Sequence, residues 1–397
     1  MRKMLGTVLA LVIAAGAIAT AGPSPAAAGG IIDSTTARLT IWHGYAAGSS
    51  QEWAFQTVLA SIRPKFPNVR FTVVSKSLDD VYTRFEADPR RGPDLFVVPN
   101  NRIATEARTG LLRDVTTAMK SRVATLTPQA RAGARVSGKY YMIPESTKTL
   151  AMYHSGSRVA AMPATTDGLL EAVRGGMKLG FMADSYYVAG FYPAFGGRIV
   201  DATYLCVADR TPGVADALAY LRQLVLAGAT AYELDRSQEM RNDYTAGRLD
   251  AIIDGNWFGG DYRRALGSDL RAAPLPSGPV GASRPFVEVE GWFINAKRPN
   301  ASLATKVALA LSDRAAQRTA MNAAIHVPAD AMVRVTDPLV ADFAKAVAIG
   351  MGRPPGAAFD AYWDPFRSAV VKVVIDGEDP TAAVRTACSA MNATNGR

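Results

Sequence analysis

Cysteine and histidine are scarce in this chain, two and three residues among 397, and none stands at the spacing that holds zinc. The sequence therefore gives no support to a structural metal, and no cofactor motif is found. There is no block of Lys or Arg, because the formal charge of +9 is scattered along the chain. That pattern speaks against nucleic acid or a charged membrane surface as partner. No Gly-x-Ser-x-Gly elbow or other nucleophile motif is present, and no repeat of about 20–50 residues is found. Only one apolar run is long enough to approach a membrane span. It extends from Met4 to Ala21 behind Arg2 and Lys3.

That run ends in Gly22-Pro23 and is followed by Pro25-Ala26-Ala27-Ala28-Gly29, a small-residue cleavage site without a basic stop-transfer flank. Residues 1–28 thus read as a secretory signal peptide, with a mature chain beginning near Gly29. No cysteine lies near the site to accept a lipid. The expected product is exported, periplasmic or extracellular, soluble and not lipid-anchored. About 370 residues remain, more than a single core usually organises, which predicts two lobes. Export makes Cys206 and Cys388 eligible for a disulfide, and their long separation leaves open whether they approach.

Short β-rich runs at Leu39–Trp42, Val69–Val74 and Leu95–Val98 alternate with helical patterns, beginning with Gln51–Phe66. This is the signature of a parallel α/β unit. Between Gly138 and Tyr153 the chain reads as a turn, a strand, a break at Pro144 and a second strand, which suits a crossing between lobes. The α/β pattern then resumes with helices at Thr166–Arg174 and Val214–Ala227, a helix from Gln238 to Gly247 and a strand at Leu249–Ile253. A Pro/Gly-rich stretch from Ala273 to Pro285 precedes a strand at Glu288–Ile294, and helices dominate from Ala301 onward.

Several segments in this order resemble the extracellular solute-binding proteins of ABC sugar importers, the maltose-binding-protein-like group. They are Leu39-Thr40-Ile41-Trp42, Gly92-Pro93-Asp94-Leu95, Thr109-Gly110-Leu111-Leu112, Tyr140-Tyr141-Met142-Ile143-Pro144 and Leu150-Ala151-Met152-Tyr153. Phe195-Gly196-Gly197, Tyr244-Thr245-Ala246-Gly247, Asp254-Gly255-Asn256-Trp257 and Tyr362-Trp363-Asp364-Pro365-Phe366-Arg367 continue the series, so the resemblance runs from about Leu39 to Val384. It implies two Rossmann-like lobes joined by a hinge, with ligand in the cleft between them (the periplasmic binding protein type II arrangement). The N-terminal lobe would comprise 38–143 and 291–327, the C-terminal lobe 150–288 and 330–397, and the hinge segments 144–149 and 289–290. The implied ligand is a carbohydrate such as a maltodextrin. The implied partners are the membrane permease subunits of an ABC importer, served by a monomer.

Aromatic rings bind sugars through the apolar C–H face of a pyranose, while flanking polar groups bond its hydroxyls. Trp257, after a glycine turn at a strand end, and Trp363, at a helix start, are the leading ligand contacts; core packing is the competing reading for any single tryptophan. Asp184 and Tyr186 follow an apolar strand and match the acid and ring of the family's equivalent segment. Asn101 and Arg102 match a family acid-plus-arginine pair, with an amide in place of the acid. Val98 replaces a family aromatic and Lys148 a family acid. His43 and Tyr45 end the first strand, where His43 reads equally as a ligand contact or a satisfied loop residue. Arg367, four residues beyond Trp363, shares its helix face. Glu288 and Glu290 alternate on one strand and point the same way, as a glycosidase pair would. However, the matching family strand is a lobe crossing, which favours a binding protein over an enzyme. Clustered tyrosines would suit iron and several acids a polyamine, and both remain as alternative ligands.

Overall fold

A computed structural model describes residues 32–354 and 356–397; the signal-peptide reading falls on residues outside these. Among the described residues two main sheets form. The first has the order Val327–Pro328, Ile143–Lys148, Phe286–Ile294, Leu95–Pro99, Ala37–His43, Val69–Ser75, with Met351–Gly352 pairing Phe286–Ile294 in addition. The second has the order Leu270–Ala273, Leu150–Ser155, Ala251–Gly255, Leu179–Met182, Thr230–Tyr232. The three strands expected first in the sequence pair in parallel, with Leu39 opposite Phe71 and Ile41 opposite Leu95. Alternation explains their burial: Leu39, Ile41 and His43 share one side of the strand and are nearly wholly buried.

Each sheet has its own core. Phe96, Val97, Trp292 and Phe293 belong to the first, and Tyr153, Phe181, Phe191, Tyr362 and Phe366 to the second. Among the described residues the chain passes between them in three regions. Thr149 alone separates the strand Ile143–Lys148 of the first sheet from Leu150–Ser155 of the second. Along Phe286–Ile294 the side chains of Phe286 and Val287 pack in the second core, and those of Val289, Trp292, Phe293 and Ile294 pack in the first. The third passage follows the helix Arg314–Ala324, where Ile325 and Val327 pack in the second core and Ala329 in the first.

The structure corrects the expected break at Pro144, which lies inside the strand Ile143–Lys148. Proline is tolerated there because the register with Phe286–Ile294 slips between Glu290 and Gly291, setting Pro144 opposite Gly291. A Cβ on Gly291 would stand 2.5 Å from the carbonyl oxygen of Ile143, so only glycine allows this approach. The strand expected at Leu249–Ile253 lies two residues further on, at Ala251–Gly255. It continues through Asp254 because that buried carboxylate accepts hydrogen bonds from Tyr187, Arg241 and Tyr262. Cys206 and Cys388, whose approach the sequence leaves open, form a disulfide with their Cα atoms 5.4 Å apart. No described helix is long and apolar enough to cross a membrane.

Candidate functional site

A cavity of about 500 Å³ opens between the two sheets, within the size range of small-molecule sites. The first half contributes Tyr45, Gln51, Val98 and Asn101 to its wall; the second contributes Asp184, Tyr186, Tyr187, Trp257, Trp363 and Arg367. Lys148, Glu288 and Glu290, from the segments that pass between the halves, form part of the lining. These positions follow from local chain geometry. Asp184 caps the short helix Ser185–Val188 after the strand Leu179–Met182, Trp257 follows the strand Ala251–Gly255, and Trp363 opens the helix Trp363–Val371.

Seven of the nine residues singled out in the sequence stand on this wall: Trp257, Trp363, Tyr186, Asp184, Arg367, Asn101 and Tyr45. His43 and Arg102 do not. The alternation that buries Leu39 and Ile41 turns His43 inward with them, where its ring packs 5.0 Å from that of Phe55. Burial lowers the pKa of its imidazole, with Glu52 opposing. Arg102 is drawn 2.9 Å from Glu86 and lies over the Tyr82 ring.

The charged wall residues are largely paired. Arg367 Nε donates to Asp184 at 2.8 Å, and this bond, with Asp184's charge, raises the arginine's pKa. Arg353 donates to Glu288 at 3.0 Å, and its guanidinium lies 4.4 Å from the centre of the Trp363 ring. Tyr186 and Tyr187 are kept as neutral phenols by burial first, then by Glu288 and Asp254 respectively. The aromatic wall is continuous, with Tyr186 between Trp257 at 6.1 Å and Trp363 at 6.3 Å.

At the floor, residues from all three passages meet. Lys148 Nζ lies 3.0 Å from Glu290 and 2.7 Å from Nε2 of His326, and the Tyr45 hydroxyl donates to Glu290 at 3.2 Å. Trp292 donates its indole N–H to Glu145 at 2.8 Å. Gln51 Nε2 also reaches Nε2 of His326, at 2.9 Å. With two donors on Nε2, the imidazole proton belongs on Nδ1, which faces Glu145 at 3.7 Å and Glu290 at 4.0 Å. Burial, then Lys148, holds His326 neutral. Burial and Glu290 raise the pKa of Glu145 to about 8. Glu145, Glu290 and His326 place ligand atoms within 4.8 Å of one another, but the proton on Nδ1 leaves that nitrogen no lone pair for a cation, and the Lys148 ammonium already supplies positive charge there.

Arg353, Lys148 and Gln51 are absent from the sequence-derived ligand set. The alternation of Glu288 and Glu290 along one strand, and Lys148 standing where the resembled family has an acid, were the signals of the polar floor. A second cavity of about 390 Å³ lies near the junction of the helices Ala301–Leu311 and Arg314–Ala324. It has no aromatic wall, Arg314 there is tied to Asp330 at 2.9 Å, and Arg122 bonds the carbonyls of Leu309 and Ser312.

The chain is 22% identical over 360 residues to the maltotriose-binding protein of Pyrococcus abyssi, covering 85% of this chain and 78% of that one. It is 23% identical over 335 residues to the galactooligosaccharide-binding protein of Bacillus subtilis, covering 78% of each. Its fold superposes on the GacH receptor of Streptomyces glaucescens with a TM-score of 0.83, at 20% identity, covering 90% of this chain and 98% of that one. The two-sheet architecture is that of the maltose-binding-protein type of periplasmic binding protein. The family model described as bacterial extracellular solute-binding protein matches residues 59–346, and the chain belongs to that family.

Proposed function

We propose that this protein captures a neutral oligosaccharide, such as a maltodextrin, between its two halves and delivers it to the permease subunits of an ABC importer. The observation that carries the reading is the wall of Trp257, Tyr186 and Trp363 beside a floor of paired charges. Rings of this kind pack on the C–H face of a sugar. The pairs Lys148–Glu290, Arg353–Glu288 and Arg367–Asp184 present hydrogen-bonding groups to hydroxyls while balancing each other's charge. An uncharged polyhydroxyl ligand suits such a surface better than a polyamine or a metal ion. The names of the Pyrococcus and Bacillus relatives, both oligosaccharide binders, support the same class.

We take 38–143 with 291–327 as one lobe, 150–288 with 330–397 as the other, and 144–149 with 289–290 as the hinge. A ligand that touches both walls favours the closed arrangement by its greater affinity for it. In this reading the protein binds without catalysis, is secreted by cleavage near Gly29, and works as a monomer.

The test is a thermal-shift screen of the purified mature protein over mono- and oligosaccharides, followed by calorimetry on any hit. At least one oligosaccharide should raise the melting temperature and be recovered intact, with no reducing sugar released. A folded protein stabilised by none of the panel would overturn the ligand class, and release of reducing sugar would overturn the binding-only role.

A further inference from the structure

The two cavity tryptophans differ in which ring face is free. Over Trp363 the Arg353 guanidinium lies 4.4 Å from the ring centre, so one face of that indole is already occupied. Among the described residues Trp257 has no such cap, and its neighbours Tyr186 and Phe258 lie at tilted angles with ring centres 6.1 and 6.2 Å away.

What lies beneath Trp257 is Gly255. A Cβ built on that glycine would stand 2.3 Å from each of Cε2, Cζ2 and Cη2 of the indole. These are three consecutive atoms of the six-membered ring, and a point equidistant from all three lies on the axis through the ring centre. At this distance that point is above the plane. The missing methyl would therefore strike the face of the ring, and the indole rests flat on the glycine backbone. Glycine is not needed here for its backbone freedom, because φ is −86° and ψ 153°, an ordinary extended conformation. It is needed for space.

The seat is held firmly. The Gly255 N–H donates to Asp254 at 2.8 Å, and its carbonyl accepts from the Tyr153 hydroxyl at 3.1 Å. The next residue, Asn256, is fully buried and donates to the carbonyls of Thr147 and Ile325 at 3.1 and 3.2 Å while accepting from the Thr149 N–H at 3.1 Å. The backbone beneath the ring is thus tied to two of the passages between the halves. An alanine methyl has nowhere to go, and the flexible element is the Trp257 side chain.

We infer that Gly255 is a positioning residue, whose absent side chain lets the Trp257 indole lie flat on the strand end and present its opposite face to the ligand. This rests on the cavity being the sugar site. The test is a cycle of Gly255→Ala, Trp257→Ala and the double variant, read by calorimetry with maltotriose and by melting temperature without ligand. Gly255→Ala should weaken maltotriose binding about 10- to 100-fold, approaching the effect of Trp257→Ala. In the Trp257→Ala background the same methyl meets no ring, so the double variant should bind no more weakly than Trp257→Ala alone.

The ligand-free melting temperature should follow the same pattern, with Gly255→Ala destabilising the protein only while Trp257 is present. Undiminished maltotriose affinity in Gly255→Ala, or an equal loss from it in both backgrounds, would overturn the inference. If the wild-type protein binds no sugar, the proposed ligand class fails and the melting cycle alone decides the seat. If Gly255→Ala does not fold, folding of the double variant supports the seat, and failure of both refutes it.

Discussion

Replacing Lys148 with methionine probes the floor of the cavity directly. Its side chain is 3% exposed and that of its partner Glu290 6%, with 3.0 Å between their charged atoms. Glu145, raised to about 8, holds its proton at neutral pH, and His326 is neutral. Burial lowers the pKa of Lys148 and its contact with Glu290 opposes that shift, so the two stand as a charge pair, and Lys148→Met leaves one buried negative charge without a counter-charge. Breaking a buried pair from one side destabilises by about 3–5 kcal/mol, whereas replacing both partners with neutral groups of similar shape is far less harmful. Burial favours protonation of a lone carboxylate, so in the variant the native state binds a proton more readily than the unfolded chain does. The sign follows: the penalty is full above the native-state titration and fades as pH falls toward the unfolded carboxylate range. Urea unfolding of the wild type, Lys148→Met, Glu290→Gln and the double variant at pH 5 and pH 7.5 measures this. The expected result is a large loss in Lys148→Met at pH 7.5, a smaller one at pH 5, and partial recovery in the double variant. A loss independent of pH, or strictly additive single effects, would refute the charge argument.

Glu106 is wholly buried, with neither carboxylate oxygen hydrogen-bonded among the described residues, and burial first, then Glu86, raises its pKa to about 8. Because the native pKa exceeds the unfolded one, the contribution of Glu106 to stability is greatest below pH 4.5 and falls toward pH 8, with a slope of about 1.4 kcal/mol per pH unit. Glu106→Gln should remove that slope, seen as a pH-dependent difference between the two urea-unfolding curves. Replacing Cys206 and Cys388 with serine should cost about 2–5 kcal/mol, because the bridge closes a separation of 182 residues, and sugar affinity by calorimetry should be unchanged. Trp363→Ala should lower both sugar affinity and melting temperature, since the ring packs against Phe286, Phe359 and Tyr362 as well as lining the cavity. An unchanged ligand-free melting temperature would contradict that packing.

Local rules of chain geometry made much of this molecule legible in the sequence. Short apolar, β-rich runs marked the strands near Leu39, Val69 and Leu95, and turn residues marked their ends. Trp257 could be named as a cavity residue because open α/β sheets bind ligands just beyond strand ends, whereas Asn101, Asp184 and Tyr186 could be named through the resemblance of their segments to the solute-binding family. The alternation of side chains along a strand, applied to His43, would have assigned it to the core with Leu39 and Ile41.

Long-range packing decided the rest. Glu145, Lys148, Glu290 and His326 come from three separate passages, and no local pattern says that their side chains meet. Arg353 is an unremarkable arginine in the chain until folding lays it over Trp363 and against Glu288. Gly255 reads as turn punctuation, and only the position of the Trp257 ring shows that the missing Cβ is what the site requires. Cysteine count and the expected export made a disulfide possible, but a 5.4 Å approach across 182 residues is set by how the C-terminal helix Pro380–Thr394 packs on the second core. Periodicity and turn chemistry act over a few residues and so are written in the sequence; contacts between distant segments are fixed by the packing of whole elements, which only the folded structure displays.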